Sequence, residues 1–294
     1  MTTPALFIST VLIWGTTRIA IAAQVGDAPI AVSVFYRFAV AGVVMVAGLA
    51  LVGRLKRPVA WRFVLVQALC LFCMNFMALY TATSLIPSGL VSVIFSLASI
   101  FNAVNARLFF GDRISRQTVL AGGLGVIGLV GLFWHDLAVT LNPDTLRGIG
   151  WAVLGTSFFS WGNMASRRNA MLGVPPVTAN ALGMCIGALI LLAVLALRGQ
   201  PLVVPQVPDY WVALAYLSVI GSVIGFTTYL ELVRRIGPAQ AGYATVLFPV
   251  VALTASTLFE GYEWTAASVI GMGFVIAGNA VMFRRSAPPP VPAR

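Results

Sequence analysis

A stripe of hydroxyl and amide side chains runs through one apolar stretch of the sequence, between residues 88 and 110. Its members lie three or four residues apart, on one face of a helix: Ser88, Ser92, Ser96, Ser99 and Asn102. In hydrocarbon, such side chains either form a small-residue seam against a neighbouring helix or line a water-filled cavity. Both interpretations are open, and a ligand is expected near the centre, at Ser96 and Ser99.

Two tryptophans lie near the centres of apolar stretches, although tryptophan is usually found at the membrane interfaces. Trp14 and Trp161 are either two core aromatics or the walls of a cavity for an apolar or aromatic ligand. Polar side chains that could contact the same ligand are Thr17, Asn75, Asn163 and Tyr243. Together with Ser96, Ser99 and Arg18, these residues form the predicted substrate-binding site.

Two arginines also fall inside apolar stretches. A charge facing lipid at the bilayer centre costs at least about 2.5 kcal/mol, so Arg18 and Arg37 should face protein or water. Arg37 is predicted to be structural or to act in gating, by capping backbone carbonyls or pairing with an outer-loop acid. Pro249, which can kink its helix, is a second gating candidate. Arg18 is either a receptor for a substrate carboxylate or a substitution that perturbs the pathway.

The sequence lacks the patterns of other chemistries. It has no P-loop, no nucleophile with a nearby base and no cluster with metal-ligand spacing, so we expect no enzyme, no metal and no cofactor. All eight acids lie in loops or near the ends of apolar stretches, and the only histidine, His135, lies in a loop. Proton-coupled carriers commonly keep such a group at mid-membrane. We therefore expect neutral or zwitterionic solutes to move down their own gradient, with sodium coupling still open.

Ten apolar stretches would position these residues, each about as long as a helix that crosses a bilayer core. Hydrophobic residues make up 60% of the chain and charged residues 9%. The predicted spans are 5–24, 30–52, 62–85, 88–110, 117–134, 148–168, 176–197, 210–232, 238–259 and 265–284. A soluble helical domain would need charged helix faces, which these stretches lack. The sequence therefore predicts an all-α membrane protein with ten transmembrane helices.

The distribution of basic residues predicts the orientation. The gaps after every second apolar stretch, with the C-terminal tail, contain fourteen of the eighteen lysines and arginines. The other gaps contain only Arg147 and Arg198. The positive-inside rule then places both termini in the cytoplasm. In this arrangement the net charge of +10 faces anionic lipid, so we expect no nucleic-acid partner.

The two halves of the chain resemble each other. A shift of 150 residues lays Gly111 on Gly261, and a slightly smaller shift lays Trp14 on Trp161. Because each half has five helices, an odd number, the second half would enter the membrane from the opposite side and form an inverted repeat. The predicted units are a first repeat at 1–136, a second repeat at 147–285 and a disordered proline-rich tail at 286–294.

Several short motifs resemble the EamA family of the drug/metabolite transporter superfamily. Trp14-Gly15-Thr16-Thr17 resembles the family's opening motif, and Tyr36-Arg37-Phe38 resembles a step in its second helix. Residues 108–113 resemble the exit of its fourth helix, with Gly-Asp in place of the usual Gly-Glu. At the position of Arg18 the family generally has an apolar or aromatic residue, so Arg18 departs from the family pattern. The resemblance implies an exporter of small metabolites, with aromatic amino acids as candidate substrates.

The expected function is export of small metabolites, amino acids first, by alternating access between inverted repeats. The site should lie between helices one, three, four, six, eight and nine. The alternatives are a carrier of sugars, other metabolites or drugs, a channel, and a membrane-embedded lipid enzyme. The expected partners are a small-molecule substrate and the bilayer of a bacterial inner (plasma) membrane, crossed in multiple passes. The oligomeric state is open, and a monomer fits the pattern.

Overall fold

The computed structural model describes residues 2–134, 142–241 and 244–283, and these residues form a helical protein. The predicted disordered tail at 286–294 lies outside the described residues, as does Tyr243.

The described helices follow the predicted apolar stretches. The first half contains α1 (Thr3–Ala22), α2 (Ile30–Leu51), α3 (Trp61–Thr83), α4 (Ser88–Phe110) and α5 (Arg116–Leu132). The second half contains α6 (Pro143–Met171), α7 (Pro176–Leu197), α8 (Pro208–Ala215 continuing through Tyr216–Ile224 and Gly225–Ala241), α9 (Ala244–Phe259) and α10 (Ala266–Phe283). The main difference is at α9, which begins at 244 rather than 238 because α8 continues to Ala241.

Six of the described helices are long and apolar enough to cross a membrane: α1, α2, α3, α4, α7 and α8 as far as Leu232. Shorter apolar helices make up α5, α9 and α10. The remaining helix, α6, mixes its apolar residues with buried Thr156 and Ser160 and is charged near both ends. This pattern is that of a membrane-protein fold, whereas ten crossings remain a prediction.

The third helix of each half has a π-helical middle. Residues Ala68–Met74 of α3 and Tyr216–Ile224 of α8 are wound in this way, with α-helix on both sides. Such segments are rare and are found frequently at functional sites. Both of them contribute residues to the cavities described below.

Among the described residues, six glycines have positive φ, and they form three pairs about 150 residues apart: Gly26 with Gly173, Gly53 with Gly199, and Gly111 with Gly261. Each lies in the connection that follows a helix, where glycine adopts the left-handed conformation without the strain of a side chain. Matching turns of this kind are what a repeated unit would produce.

Helices α5 and α10 pack backbone to backbone through a glycine seam, formed by Gly128, Gly131, Gly271 and Gly278. A Cβ placed on Gly128 would lie 2.6 Å from the carbonyl oxygen of Gly271, and a Cβ on Gly271 would lie 2.6 Å from the carbonyl oxygen of Gly128. Such an approach requires glycine on both helices. The seam therefore joins the two halves at a contact that is nearly the same from either side.

Candidate functional site

Two adjoining cavities lie between helices of both halves. The smaller cavity, the arginine chamber, has a volume of about 70 Å³, and the larger, the vestibule, about 570 Å³. Polar residues of the chamber are Trp14, Thr17, Arg18, Arg37, Asn75 and Ser92. Residues that line both cavities are Trp14, Leu71, Phe95, Phe159, Phe226 and Phe248. The lining comes from helices one, three, four, six, eight and nine, and also from α2, α7 and α10.

One face of α1 forms a wall of the chamber. Trp14, Thr17 and Arg18 are three and four residues apart, so the helix presents them side by side. The indole N–H of Trp14 donates to the carbonyl oxygen of Gly221 at 3.3 Å, and the Thr17 hydroxyl donates to the carbonyl oxygen of Trp14 at 2.6 Å. Gly225 makes room for the indole, because a Cβ there would lie 2.6 Å from Trp14 Nε1.

Aromatic rings form much of the boundary between chamber and vestibule. The Trp14 ring packs against those of Phe226, Tyr229 and Phe248, with centroid distances of 5.3, 4.9 and 5.6 Å. Phe95 of α4 and Phe159 of α6 pack edge to face at 4.7 Å. These surfaces favour a ligand with an apolar or aromatic body. Sequence reasoning missed the phenylalanines because, in an apolar helix, a ring lining a cavity has the same pattern as one facing lipid.

Arg18 reaches the chamber from α1. Its guanidinium carbon lies 4.7 Å from the centroid of the Phe95 ring, and the residue is 8% exposed. None of the residues that the structure describes forms a hydrogen bond or an ion pair with this guanidinium. It is therefore held by stacking on an aromatic ring while its N–H donors remain available to a ligand.

Arg37 reaches the same chamber from α2. Its Nε donates to Ser222 Oγ in α8 at 3.2 Å, and its guanidinium carbon lies 4.5 Å from the centroid of the Phe76 ring. Its Nη1 is buried without a hydrogen-bond partner in the described residues. The carbonyl cap and the acidic partner expected from the sequence are both absent from that part of the chain. Arg37 instead links α2 to α8 at the chamber wall.

Asn75 supplies a neutral polar group directly after the π-helical segment of α3. Its Nδ2 donates to the carbonyl oxygen of Leu71 at 3.2 Å. Its Oδ1 is buried and has no hydrogen-bond partner in the described residues. Buried acceptors are normally satisfied, so a ligand donor could complete this one.

The hydroxyl stripe of α4 combines both roles that the sequence left open. At the start of α4, the hydroxyl and the backbone N–H of Ser88 donate to the carboxylate of Glu260, the residue that follows α9, at 2.7 and 3.0 Å, which is a packing contact. Further along the stripe, the cavity-lining members are Ser92, Ser96, Ser99 and Asn102. Ser96 also accepts a hydrogen bond from Asn279 Nδ2 at 3.2 Å.

The vestibule reaches a charged rim at the end that the sequence predicts to be cytoplasmic. Arg167 in its lining donates from Nη1 to Asp112 Oδ2 at 2.6 Å. This hydrogen bond from Arg167 holds the pKa of the exposed Asp112 carboxyl below its ordinary value. Asn163 also lines the vestibule, where its Nδ2 donates to Asn102 Oδ1 at 3.3 Å.

Two predicted site residues lie apart from the cavities. Trp161 is 39% exposed, and its indole N–H donates to Asn105 Oδ1 at 3.2 Å. It lines neither cavity, so the expected symmetric pair with Trp14 is not formed there. Pro249 is buried inside α9 and also lines neither cavity.

Comparison with protein-family models gives two matches to the EamA-like transporter family, at residues 2–134 and 146–284. Together the two matches cover almost the whole chain. Each match spans one of the five-helix halves described above.

Several curated proteins are similar at low identity. The uncharacterized inner membrane transporter YedA of Escherichia coli (strain K12) is 26% identical over 277 residues, which cover 90% of this chain and 87% of that protein. A probable amino-acid metabolite efflux pump of Salmonella typhimurium is 23% identical over 204 residues, which cover 65% of this chain and 66% of that protein. A probable terminal-alkyne amino-acid exporter of Streptantibioticus cattleyicolor is 21% identical over 201 residues, which cover 68% of this chain and 66% of that protein.

A solved crystal structure has a similar fold. It superposes with a TM-score of 0.67 and covers 95% of both chains at 20% sequence identity. At that identity the likeness concerns the fold alone.

Proposed function

Because the chain belongs to the EamA-like transporter family, we propose that it exports small metabolites, aromatic and neutral amino acids first, across the bacterial inner membrane. Membership makes the chain a multi-pass membrane transporter rather than an enzyme. The inner membrane is the location named for the relative YedA. Two further relatives are described as a probable amino-acid metabolite efflux pump and a probable amino-acid exporter, which supports the substrate class.

The observation that carries the proposal is the aromatic cavity with polar groups along its wall. Trp14 and Phe248 offer apolar surface, while Thr17, Asn75 and Ser92 offer hydrogen-bonding groups next to it. Binding sites for small molecules combine mostly apolar walls with a few polar groups that orient the ligand. A small metabolite with an aromatic side chain fits both kinds of surface.

The transport mechanism we propose is alternating access between two inverted five-helix repeats, 1–136 and 147–285, that together cross the membrane ten times. The paired turns at positive-φ glycines and the two π-helical segments support the repeat. With both termini in the cytoplasm, the vestibule would open to the cytoplasm near Arg167. This arrangement corresponds to an inward-facing state, in which the cavity could load substrate for export.

Reconstitution tests the proposed activity. Purified protein in liposomes should release preloaded radiolabelled phenylalanine or leucine faster than protein-free liposomes do, and dissipating a proton gradient should not stop the release. Flux confined to sugars or drugs would contradict the amino-acid assignment. Single-channel conductance in a planar bilayer would identify a channel rather than a carrier.

Labelling with an impermeant thiol reagent tests the proposed topology. In a background in which Cys70, Cys73 and Cys185 are replaced by alanine, Gln200→Cys should react from outside intact cells and Met171→Cys only after the cells are opened. Met171 is exposed and Gln200 is partly exposed. Reaction of both from the same side would refute the threading.

A further inference from the structure

The arginine chamber contains two positive charges, and none of the acids that the structure describes lies in its wall. Arg18 and Arg37 are 8% and 2% exposed and line the same small cavity. Across residues 2–134, 142–241 and 244–283, no aspartate or glutamate lines either cavity. Like charges repel strongly in low-dielectric surroundings, and a buried charge is costly unless a counter-charge is nearby. The charge balance of the chamber therefore favours an anionic ligand.

The hydrogen-bond donors of the two arginines point to the same kind of ligand. A guanidinium has five N–H donors, and its fork matches the two oxygens of a carboxylate. The Arg18 guanidinium stacks on Phe95 without a hydrogen bond to the described residues, and Arg37 Nη1 is also without a partner there. Phe76 and Phe95 stack on the two guanidinium groups and restrict them, so the donors are held in place before a ligand arrives.

We propose that Arg18 and Arg37 bind the carboxylate of an organic anion whose body is apolar or aromatic, and that the carrier prefers such anions to zwitterionic amino acids. This inference rests on the proposed export of small metabolites, and it makes organic carboxylates rather than amino acids the preferred substrates. The body of the anion lies against Trp14 and the phenylalanines that separate the chamber from the vestibule.

The α-ammonium group of an amino acid is the reason for the preference. Placed beside a carboxylate that Arg18 and Arg37 hold, an ammonium adds a third positive charge to the chamber. The unpaired acceptor in the chamber wall is the neutral Oδ1 of Asn75, which supplies no compensating charge. Removing or acylating the amino group leaves the carboxylate contact intact and removes the repulsion.

An anionic substrate also gives the export a driving force. Outward movement of one negative charge is favoured by an interior-negative membrane potential, by about 50-fold in the equilibrium concentration ratio per 100 mV. A zwitterion carries no net charge and gains nothing from the potential. Flux of the anion should therefore depend on voltage, and flux of the zwitterion should not.

Calorimetry on the purified full-length protein tests the preference. The ligands are phenylpyruvate, N-acetyl-L-phenylalanine, L-phenylalanine and L-phenylalaninamide, which share the aromatic ring and differ in charge. The two anions should bind at least about tenfold more tightly than phenylalanine, and the cationic amide should not bind. Phenylalanine binding as tightly as the anions would overturn the inference.

Substitutions locate the binding to the chamber. Arg18→Gln and Arg37→Gln should each weaken anion binding at least about tenfold, whereas Arg18→Lys should weaken it less because it keeps the charge. Arg147→Gln is the matched control, since Arg147 is exposed and paired with Asp144 at 3.2 Å. Unchanged anion affinity in both glutamine variants would overturn the inference. If neither variant folds, the ligand series on the unsubstituted protein decides.

Liposome flux separates the inference from the proposed function. Anion release that accelerates when potassium and valinomycin make the interior negative supports both. Voltage-independent release of phenylalanine with no release of the anions refutes the inference and leaves the exporter intact. Anions that bind, with no release of any of the four ligands, refute the export function and leave the binding site intact. Neither binding nor release of any of the four ligands refutes both.

Discussion

The glycine seam and the arginine chamber differ in how evenly the two halves of the chain contribute. At the seam, Gly128 of α5 and Gly271 of α10 approach each other's carbonyl oxygen at the same distance. At the chamber, both charges come from the first half, Arg18 from α1 and Arg37 from α2. The shift that lays Trp14 on Trp161 lays Arg18 on Ala165. The two halves contribute alike to the backbone packing at the seam, whereas the charged groups of the chamber come from one half.

The two tryptophans show the same difference in single side chains. The indole N–H of Trp14 donates to the carbonyl oxygen of Gly221 in the chamber wall. The indole N–H of Trp161 donates to Asn105, and Trp161 is 39% exposed. The glycine after each tryptophan still allows close packing, of Gly15 against Val251 and of Gly162 against Leu71. A repeated motif can therefore keep its role in helix packing in both copies and its role in binding in only one.

The largest effect is expected at the seam. Gly128→Ala and Gly271→Ala should each lower the free energy of unfolding by about 1–3 kcal/mol, because the added Cβ meets a backbone oxygen that cannot move aside. Thermal unfolding in detergent measures this. Gly123→Ala and Gly273→Ala are controls on the same helices with open space at the Cβ, and they should gain up to about 1 kcal/mol from helix propensity. Equal behaviour of seam and control variants would contradict the symmetric contact.

An intermediate effect is expected from the tryptophan pair. Trp14→Ala should reduce substrate flux about tenfold or more, because it removes an aromatic surface that both cavities share. Trp161→Ala should leave flux within about twofold, since Trp161 lines neither cavity. Flux assays in liposomes at matched protein content measure both variants. A similar loss in both would restore the symmetric tryptophan site that the sequence suggested.

The smallest effect is expected at the rim of the vestibule. Gly111 is followed by Asp112 and the paired Gly261 by Tyr262, so only the first half has a carboxylate directly after the glycine of this turn. Asp112→Asn should lower the thermal stability slightly at pH 7, by removing the exposed ion pair with Arg167.

The pH dependence of the Asp112 contribution follows from its lowered pKa. The contribution is complete above the unfolded-state pKa of about 3.9 and is lost as the pH falls through the lower folded-state pKa. The stability difference between Asp112→Asn and the unsubstituted protein should therefore be constant from pH 7 to pH 5. A difference that already disappears in that range would contradict the assigned ion pair.

The sequence was sufficient for the helical class and for much of the cavity. Helix periodicity places Trp14, Thr17 and Arg18 on one face whatever the helix packs against, and in the structure that face lines the chamber. Periodicity does not say which neighbour a face meets. The repeat therefore predicts Trp161 beside the same ligand as Trp14, whereas in the structure its indole N–H donates to Asn105 outside the cavities.

The contacts of Arg37 and of the phenylalanines also could not be predicted from the sequence. The partner of Arg37 is Ser222, which lies 185 residues away in the chain and is one of many serines in apolar helices. Phe95 and Phe159 meet only after α4 and α6 have packed together. Long-range contacts of this kind leave no local pattern in a sequence so rich in apolar residues.

Because Trp14 lines the chamber, its fluorescence can report ligand binding there. The chain has seven tryptophans, all within the described residues, and the other six are at least 39% exposed at the protein surface. Trp14 alone lines the cavities, so a bound solute would change the emission of this one indole. A Trp14→Phe variant would supply the background spectrum. The protein thus contains its own fluorescent reporter of occupancy and needs no attached dye.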